Sequence, residues 1–387
     1  MNSSFRRSMF AACLAVLLSG VVLGVSLGGH AEAQERTQER TRERGPEQGQ
    51  EEAPIAPLPH VRVVATGGTI AGRAQSAEAG AGYQSGSLPI EELLVDLPGL
   101  DRMAEVTAEQ FSNLPSTGVT PEHWLGLAQR INTILRDGVD GRAVDGVVVT
   151  HGTDALEETA YFLDLTVRSD SPVVVVGAMR PPGTVSADGP INLIHAIQTA
   201  GAPESRGRGT LVVLNEEIHD ARDATKTNTR SVQTFQSRSW GPLGNVGREG
   251  VRYYRSAEKR QGAAIEFDVA DKTVADLARV DIVYSYNGAD GAGAQGFADA
   301  GAVGIVVAGS GGGGTSRALG ETLRSLAENG MWLVRTSRVG SGSVGSWGRG
   351  TYVGADDLSP QKARILLMVA LMHTEEPEQL QRIFGEY

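Results

Sequence analysis

Two short stretches combine a hydroxyl with glycine-freed backbone. Thr66-Gly67-Gly68-Thr69 follows the apolar run Val61–Ala65, and His151-Gly152-Thr153-Asp154 follows Gly146–Thr150. A threonine hydroxyl attacks a carbonyl only when a base takes its proton and N–H donors stabilise the oxyanion that forms. Adjacent glycines turn the chain without a Cβ clash and bring peptide N–H groups close to a ligand, which makes Thr69 a candidate nucleophile. Thr153, Asp154 and Lys226 supply a second hydroxyl, a carboxylate and a base, a set suited to relaying a proton. A lysine in such a relay must reach its neutral form, which burial favours and a neighbouring carboxylate opposes. Taken singly, these residues have plainer readings: a strand-to-helix turn for the glycines, and a solvated cation for Lys226 in the polar run Asp220–Thr229. The seven histidines are scattered without an H-E-x-x-H pair, so no metal site is expected.

The elements that must hold these residues alternate between strand and helix. Val61–Ala65, Gly146–Thr150, Pro172–Val176 and Gly209–Leu214 are β-branched, apolar runs that read as buried strands. Val106–Leu114 is a weaker one that leads into Ser116-Thr117. Thr120 reads as an N-cap with Pro121 at the first helical position, ahead of Trp124, Leu127, Ala128, Ile131 and Ile134 at helical spacing. A helix from Leu156 carries Glu157 and Glu158 in its first turn, where the macrodipole favours acids. Asp188 reads as the cap of another. After the unpatterned stretch Arg255–Val280 come strands at Asp281–Tyr286, Gly304–Ala308 and Trp332–Thr336, and helices after Ser316 and Ser359. The expected fold is therefore α/β in two domains: a larger N-terminal one with a mostly parallel sheet (60–255), a linker (256–280) and a smaller C-terminal α/β domain (281–387). In open sheets of this kind ligands bind at the C-terminal ends of the strands, where both Gly–Thr steps fall.

Between Arg73 and Ser87 runs a small-residue loop with one aromatic, Tyr83. A loop of that length inside a domain is uncommon unless functional, so it reads as a lid, and Tyr83 either serves the site or packs the loop down. Gly309–Gly314 (GSGGGG) satisfies G-x-G-x-x-G between a strand and a helix. Leu333–Ser337 nevertheless lacks the acid a dinucleotide site places there, so no cofactor is expected.

A net charge of −11 without a basic stripe argues against nucleic acid as a partner. Cys13 is the only cysteine, which excludes a disulfide framework. Arg6 and Arg7, the apolar run Met9–Leu27 and Ala31-Glu32-Ala33 read as a cleaved secretory signal over residues 1–33, with an uncleaved anchor as the alternative. Residues 34–59, with QERTQERTRER and then a proline-rich run, read as a charged tether. A periplasmic or secreted protein without a stable membrane anchor is expected.

TGGTIAG at Thr66–Gly72, VVVTHGTDALEETAYFLDLTV at Val147–Val167, GAMRPPGTVSADGP at Gly177–Pro190, DATKTNT at Asp223–Thr229 and SPQKARILL at Ser359–Leu367 together resemble the secreted (type II) bacterial L-asparaginases over about residues 60–387. The resemblance implies a cofactor-free homotetramer with sites at subunit interfaces, hydrolysing asparagine to aspartate and ammonia through an acyl-enzyme. By motif it implies Thr69 as nucleophile, Tyr83 as its partner on a mobile lid, and Thr153, Lys226 and Asp154 as the relay. Ser116 then holds the substrate carboxylate and Asp154 its ammonium, with Gly68 and Gly152 lining the site. The chain departs from the pattern in three places. Thr117 stands where many members have glutamine, and Ser285–Asp290 only loosely matches the segment that makes Asn287 a second-subunit contact. Val339–Val353 carries no carboxylate where a neighbouring subunit often supplies a glutamate, which leaves asparagine and glutamine both open as substrates. A periplasmic amino-acid-binding protein is the rival of a different class.

Overall fold

The computed structural model describes residues 57–74, 82–95, 97–345 and 350–387, with Ala74 and Tyr83 described by their backbone only. The expected signal (1–33), nearly all of the tether (34–59) and the centre of the Arg73–Ser87 loop lie outside those residues. The strands of the larger half are β1 (His60–Gly67), β2 (Arg73–Ala74), β3 (Tyr83–Gln84), β4 (Glu105–Leu114), β5 (Gly146–Thr150), β6 (Val173–Val176), β7 (Thr210–Leu214), β8 (Glu217–Asp220), β9 (Ala224–Lys226), β10 (Phe235–Ser237), β11 (Gly244–Gly247) and β12 (Gly250–Tyr253). Its helices are α1 (Ile90–Val95), α2 (Pro121–Asp137), α3 (Leu156–Thr166) and α4 (Gly189–Gly201).

The main sheet has the order β12-β11-β8-β7-β6-β5-β1-β4. From β4 to β7 all neighbours are parallel, joined through α2, α3 and α4, whereas β8, β11 and β12 extend the sheet antiparallel. The chain leaves β1 for β4 on one side and then crosses back to β5 on the other. The C-terminal ends of β1 and β5 therefore form a topological switch point, where a crevice opens because the crossover connections leave in opposite directions.

The smaller half is a parallel sheet of β13 (Val280–Tyr284), β14 (Gly304–Gly309), β15 (Trp332–Ser337) and β16 (Tyr352–Gly354), with α5 (Ala292–Asp299), α6 (Arg317–Glu328), α7 (Pro360–Leu371) and α8 (Pro377–Glu386). Strand alternation divides the apolar residues between layers. Val61, Val63, Val148, Val174 and Val176 face α4, whereas Val64, Val147, Val149, Val173 and Val175 share a core with α2, α3 and α7. Val306, Val334 and Val353 reach that second core from the smaller sheet. Helix α7 is thus buried on two sides, against α3 and against the smaller sheet. Val283, Ile305, Val307 and Leu333 pack with α5 and α6 on the far face.

The glycine-rich loop after β14 closes on itself. Ser310 and Gly314 exchange backbone hydrogen bonds of 2.8 and 2.7 Å, and Gly313 donates its N–H to Ser310 O. Those amides are not directed outward as a phosphate cradle requires.

Because Leu366 of α7 is fully buried in the core shared by both halves, Leu366→Ala should destabilise the fold by about 2–5 kcal/mol. Urea unfolding of the variant against wild type measures this, and a shift below about 1 kcal/mol would place α7 outside the shared core.

Candidate active site

The register of the parallel strands sets the floor of the site. Ala65 of β1 lies beside Thr150 of β5, which lies beside Val176 of β6. Just past that row, Thr66 Oγ1 donates to Thr150 O at 2.7 Å and His151 N–H donates to Val176 O at 2.8 Å. Gly67 and Gly68 follow with φ of 109° and 83°, values that disfavour any side chain. Their turn is pinned where Gly68 N–H donates to Leu114 O at 3.0 Å.

Here three strand ends touch through backbone. A Cβ at Gly68 would fall into the backbone of Gly152, and one at Gly152 would meet Ser116 Cβ at 2.9 Å and Gly68 Cα at 3.1 Å. Thr69 and Thr153 each follow one of these glycines, so both hydroxyl residues flank a single point of contact at the switch point. They are buried, at 8% and 5% exposure. Ser116, on the 3₁₀ turn Ser116–Gly118, is buried at the same place, and its neighbour Thr117 is exposed.

Lys226 Nζ donates to Thr153 Oγ1 at 2.9 Å and to Asp154 Oδ1 at 2.6 Å. The pair is asymmetric, with the lysine side chain 15% exposed and the aspartate 67%. Lys226 is not on a solvated loop, as its polar surroundings imply, but on β9, which pairs with β10. Its backbone N–H donates to Glu157 Oε2. Glu157 therefore does more than complement a helix dipole: it is buried and anchors the strand that carries the lysine. A cleft of 320 Å³ opens over this cluster, lined by Asp154, Glu157, Lys226, Thr227, Asn228 and Gln361.

His151 joins the site although neither its residue type nor its spacing singles it out in the sequence. Gly152 O can only accept, so the neutral His151 ring must carry its proton on Nδ1; Nε2 is left to accept from Thr159 Oγ1 at 2.9 Å, and that hydroxyl in turn accepts from Trp124 Nε1 at 2.8 Å. The Nδ1 to Gly152 O distance is 2.8 Å. A neutral ring thus holds the peptide that touches Gly68. Burial pushes the His151 pKa down to about 4, against a smaller opposing effect of the Gly152 carbonyl. The signal in the sequence was a histidine placed between a valine-rich strand and a Gly–Thr step.

Other expected residues fall elsewhere. Tyr83 pairs through its backbone with Ala74 in the β2–β3 hairpin, and its side chain lies outside the described residues. Asn287 is exposed beyond β13 in the smaller half. Residues 346–349 of the acid-free stretch Val339–Val353 lie outside the described residues. Asp188 makes no side-chain cap. Its carboxylate accepts from Met179 N–H and Arg180 N–H, folding the preceding loop back onto the start of α4.

Two family models match the chain: "Asparaginase, N-terminal" over residues 60–259 and "Glutaminase/Asparaginase C-terminal domain" over residues 279–384. The chain is 43% identical to L-asparaginase 2 of Escherichia coli, across 85% of this chain and 94% of that protein. It is 40% identical to a glutaminase-asparaginase of Pseudomonas fluorescens, across 85% and 91%. A crystal structure of a probable cytoplasmic L-asparaginase from Campylobacter jejuni superposes with a TM-score of 0.81 at 39% identity, covering 85% of this chain and all of that one.

The buried His151 links stability to pH. Its folded pKa lies below the ordinary histidine value, so its contribution is complete above pH 6.5 and is lost as pH falls from about 6.5 to about 4. Burial raises the carboxyls of Asp164 and Asp220, the latter to about 7, which acts in the opposite sense, so the test is a difference between variants. Between pH 7 and 4.5 wild type should lose about 2 kcal/mol more stability than His151→Gln. Parallel urea-midpoint curves for the two proteins would remove His151 from the linkage.

Proposed function

The chain belongs to the asparaginase family, and from that premise we propose that it hydrolyses the side-chain amide of L-asparagine to aspartate and ammonia. The observation that carries this reading is the backbone contact of Gly68 with Gly152, which gathers Thr69, Thr153 and Lys226 at the switch point. Thr69 Oγ attacks the amide carbon. Thr153 and Lys226 take up the proton that leaves Thr69 and return it to the departing nitrogen, which leaves as ammonia. Water then attacks the Thr69 ester and releases aspartate, restoring the hydroxyl. Backbone N–H groups of the Gly–Thr steps are suited to the oxyanion. Ser116 binds the substrate carboxylate, and Asp154, engaged with Lys226 through Oδ1, offers Oδ2 to the substrate ammonium. Tyr83 closes over the nucleophile from the β2–β3 hairpin.

Glutamine is the second substrate to consider, because Val339–Val353 has no carboxylate to count the distance to the substrate ammonium. We assign the active form to a homotetramer, exported by way of residues 1–33, with Asn287 and Thr117 as outer contacts of the site.

Steady-state ammonia release from asparagine and from glutamine tests the activity, and any turnover removes the alternative of an amino-acid-binding protein. Thr69→Ala and Thr153→Val should each lower kcat for asparagine by about 10³-fold or more while the circular dichroism spectrum is retained. Full activity in either variant would take that residue out of the chemistry. Mass spectrometry of the exported protein should find Gln34 at its N-terminus.

A further inference from the structure

The strand that carries Lys226 belongs to neither parallel sheet. It is three residues long and pairs with β10 in a separate two-stranded ribbon. A lysine on so short a ribbon needs other restraints if its ammonium is to stay within hydrogen-bond reach of Thr153.

One restraint comes from the far end of the chain. Lys362, in the first turn of α7, is 1% exposed. Its Nζ donates to the carbonyl oxygens of Ala221, Arg222 and Ala224 at 2.9, 2.6 and 2.5 Å. An ammonium has three N–H donors, and all three are directed at one turn, the one that ends where β9 begins. Burying a charge is costly unless its hydrogen bonds are made, and burial does push the Lys362 pKa downward, against the pull of Glu157, Asp223 and Asp220. An apolar residue would fill the same space without that cost. A second clasp lies alongside: Asp357, just before α7, pairs with Arg222 at 2.8 Å. Glu157 holds the other end of the strand through the Lys226 N–H.

We infer that Lys362 is a positioning residue for the reaction, fixing the Ala221–Ala224 turn and through it the placement of Lys226 Nζ against Thr153. It touches neither substrate nor reacting atoms. The inference rests on the relay proposed above, and it assigns the smaller half a part in the chemistry within one chain.

The experiment compares wild type, Lys362→Met and Lys362→Arg in asparagine hydrolysis. Methionine keeps the length and removes all three donors. Misplacing a proton-transfer group by a fraction of an ångström to an ångström costs about 10- to 100-fold in rate, so kcat of Lys362→Met should fall by about that much. KM for asparagine should stay within about 3-fold of wild type, because Ser116 and Asp154 are untouched. Lys362→Arg retains donors and should recover part of kcat. A role in stability alone would lower the melting temperature and leave kcat per folded molecule unchanged, and that result overturns the inference. If Lys362→Met does not fold, Asp357→Asn loosens the same turn and should show the same fall in kcat with KM held; wild-type kcat in that variant also overturns it. Failure of the underlying reading looks different, since Thr153→Val would then remain active.

Discussion

The site depends on two peptide backbones being allowed to touch. Where β1 and β5 end, Gly68 and Gly152 approach so closely that neither tolerates a Cβ. Everything around them serves this approach. The parallel register brings Ala65 and Thr150 level, the Thr66 hydroxyl ties the two strand ends, and the ring of His151 holds the Gly152 carbonyl from below. Side chains at the contact would force the strand ends, and the hydroxyls that follow them, apart. Glycine is required here for closeness at Gly152, and for closeness and a positive φ together at Gly68.

Polar groups reach the site from three layers, and each is matched to its depth. Asp154 sits at the mouth and is mostly exposed, while Lys226 bridges inward from it to the buried Thr153. Beneath lie groups that water does not reach: His151 stays neutral, its tautomer set by the acceptor-only Gly152 carbonyl, and Lys362 stays hydrogen-bonded to carbonyls. A low-dielectric floor under a wet mouth strengthens every interaction made near the floor. It also makes unpaired polar groups expensive, which accounts for the completeness of the His151 chain of donors and acceptors.

Much of this was legible in the residues because local chemistry and tertiary placement agree. Valine runs bounded by glycines can be little else than buried parallel strands, and their C-terminal ends named the neighbourhood of Thr69 and Thr153. What was not legible depends on partners distant in the chain. Lys226 looked solvated because its own neighbours are polar, whereas Thr153, Asp154 and Glu157, distant in the chain, receive its ammonium and its backbone N–H. Glu157 looked like a dipole partner because its helix position suits one, and only the fold reveals the backbone N–H it receives from β9. Asp188 sits at a cap position, but two amides of the preceding loop take its carboxylate instead. The antiparallel extension β8-β11-β12 was hidden because short, glycine-bounded strands such as Gly244–Gly247 carry too little periodicity to read.

The three carbonyls that hold Lys362 also set an order of assembly. Ala221, Arg222 and Ala224 leave the ribosome long before the helix that satisfies them, which begins at Pro360. The main sheet can be complete in sequence while the Ala221–Ala224 turn still has unanswered acceptors. The turn beneath Lys226 is thus held by a helix that lies well over a hundred residues further along the chain. A chain without α7 would therefore carry Thr69 and Thr153 beside a strand whose entry turn has lost its three-donor clasp.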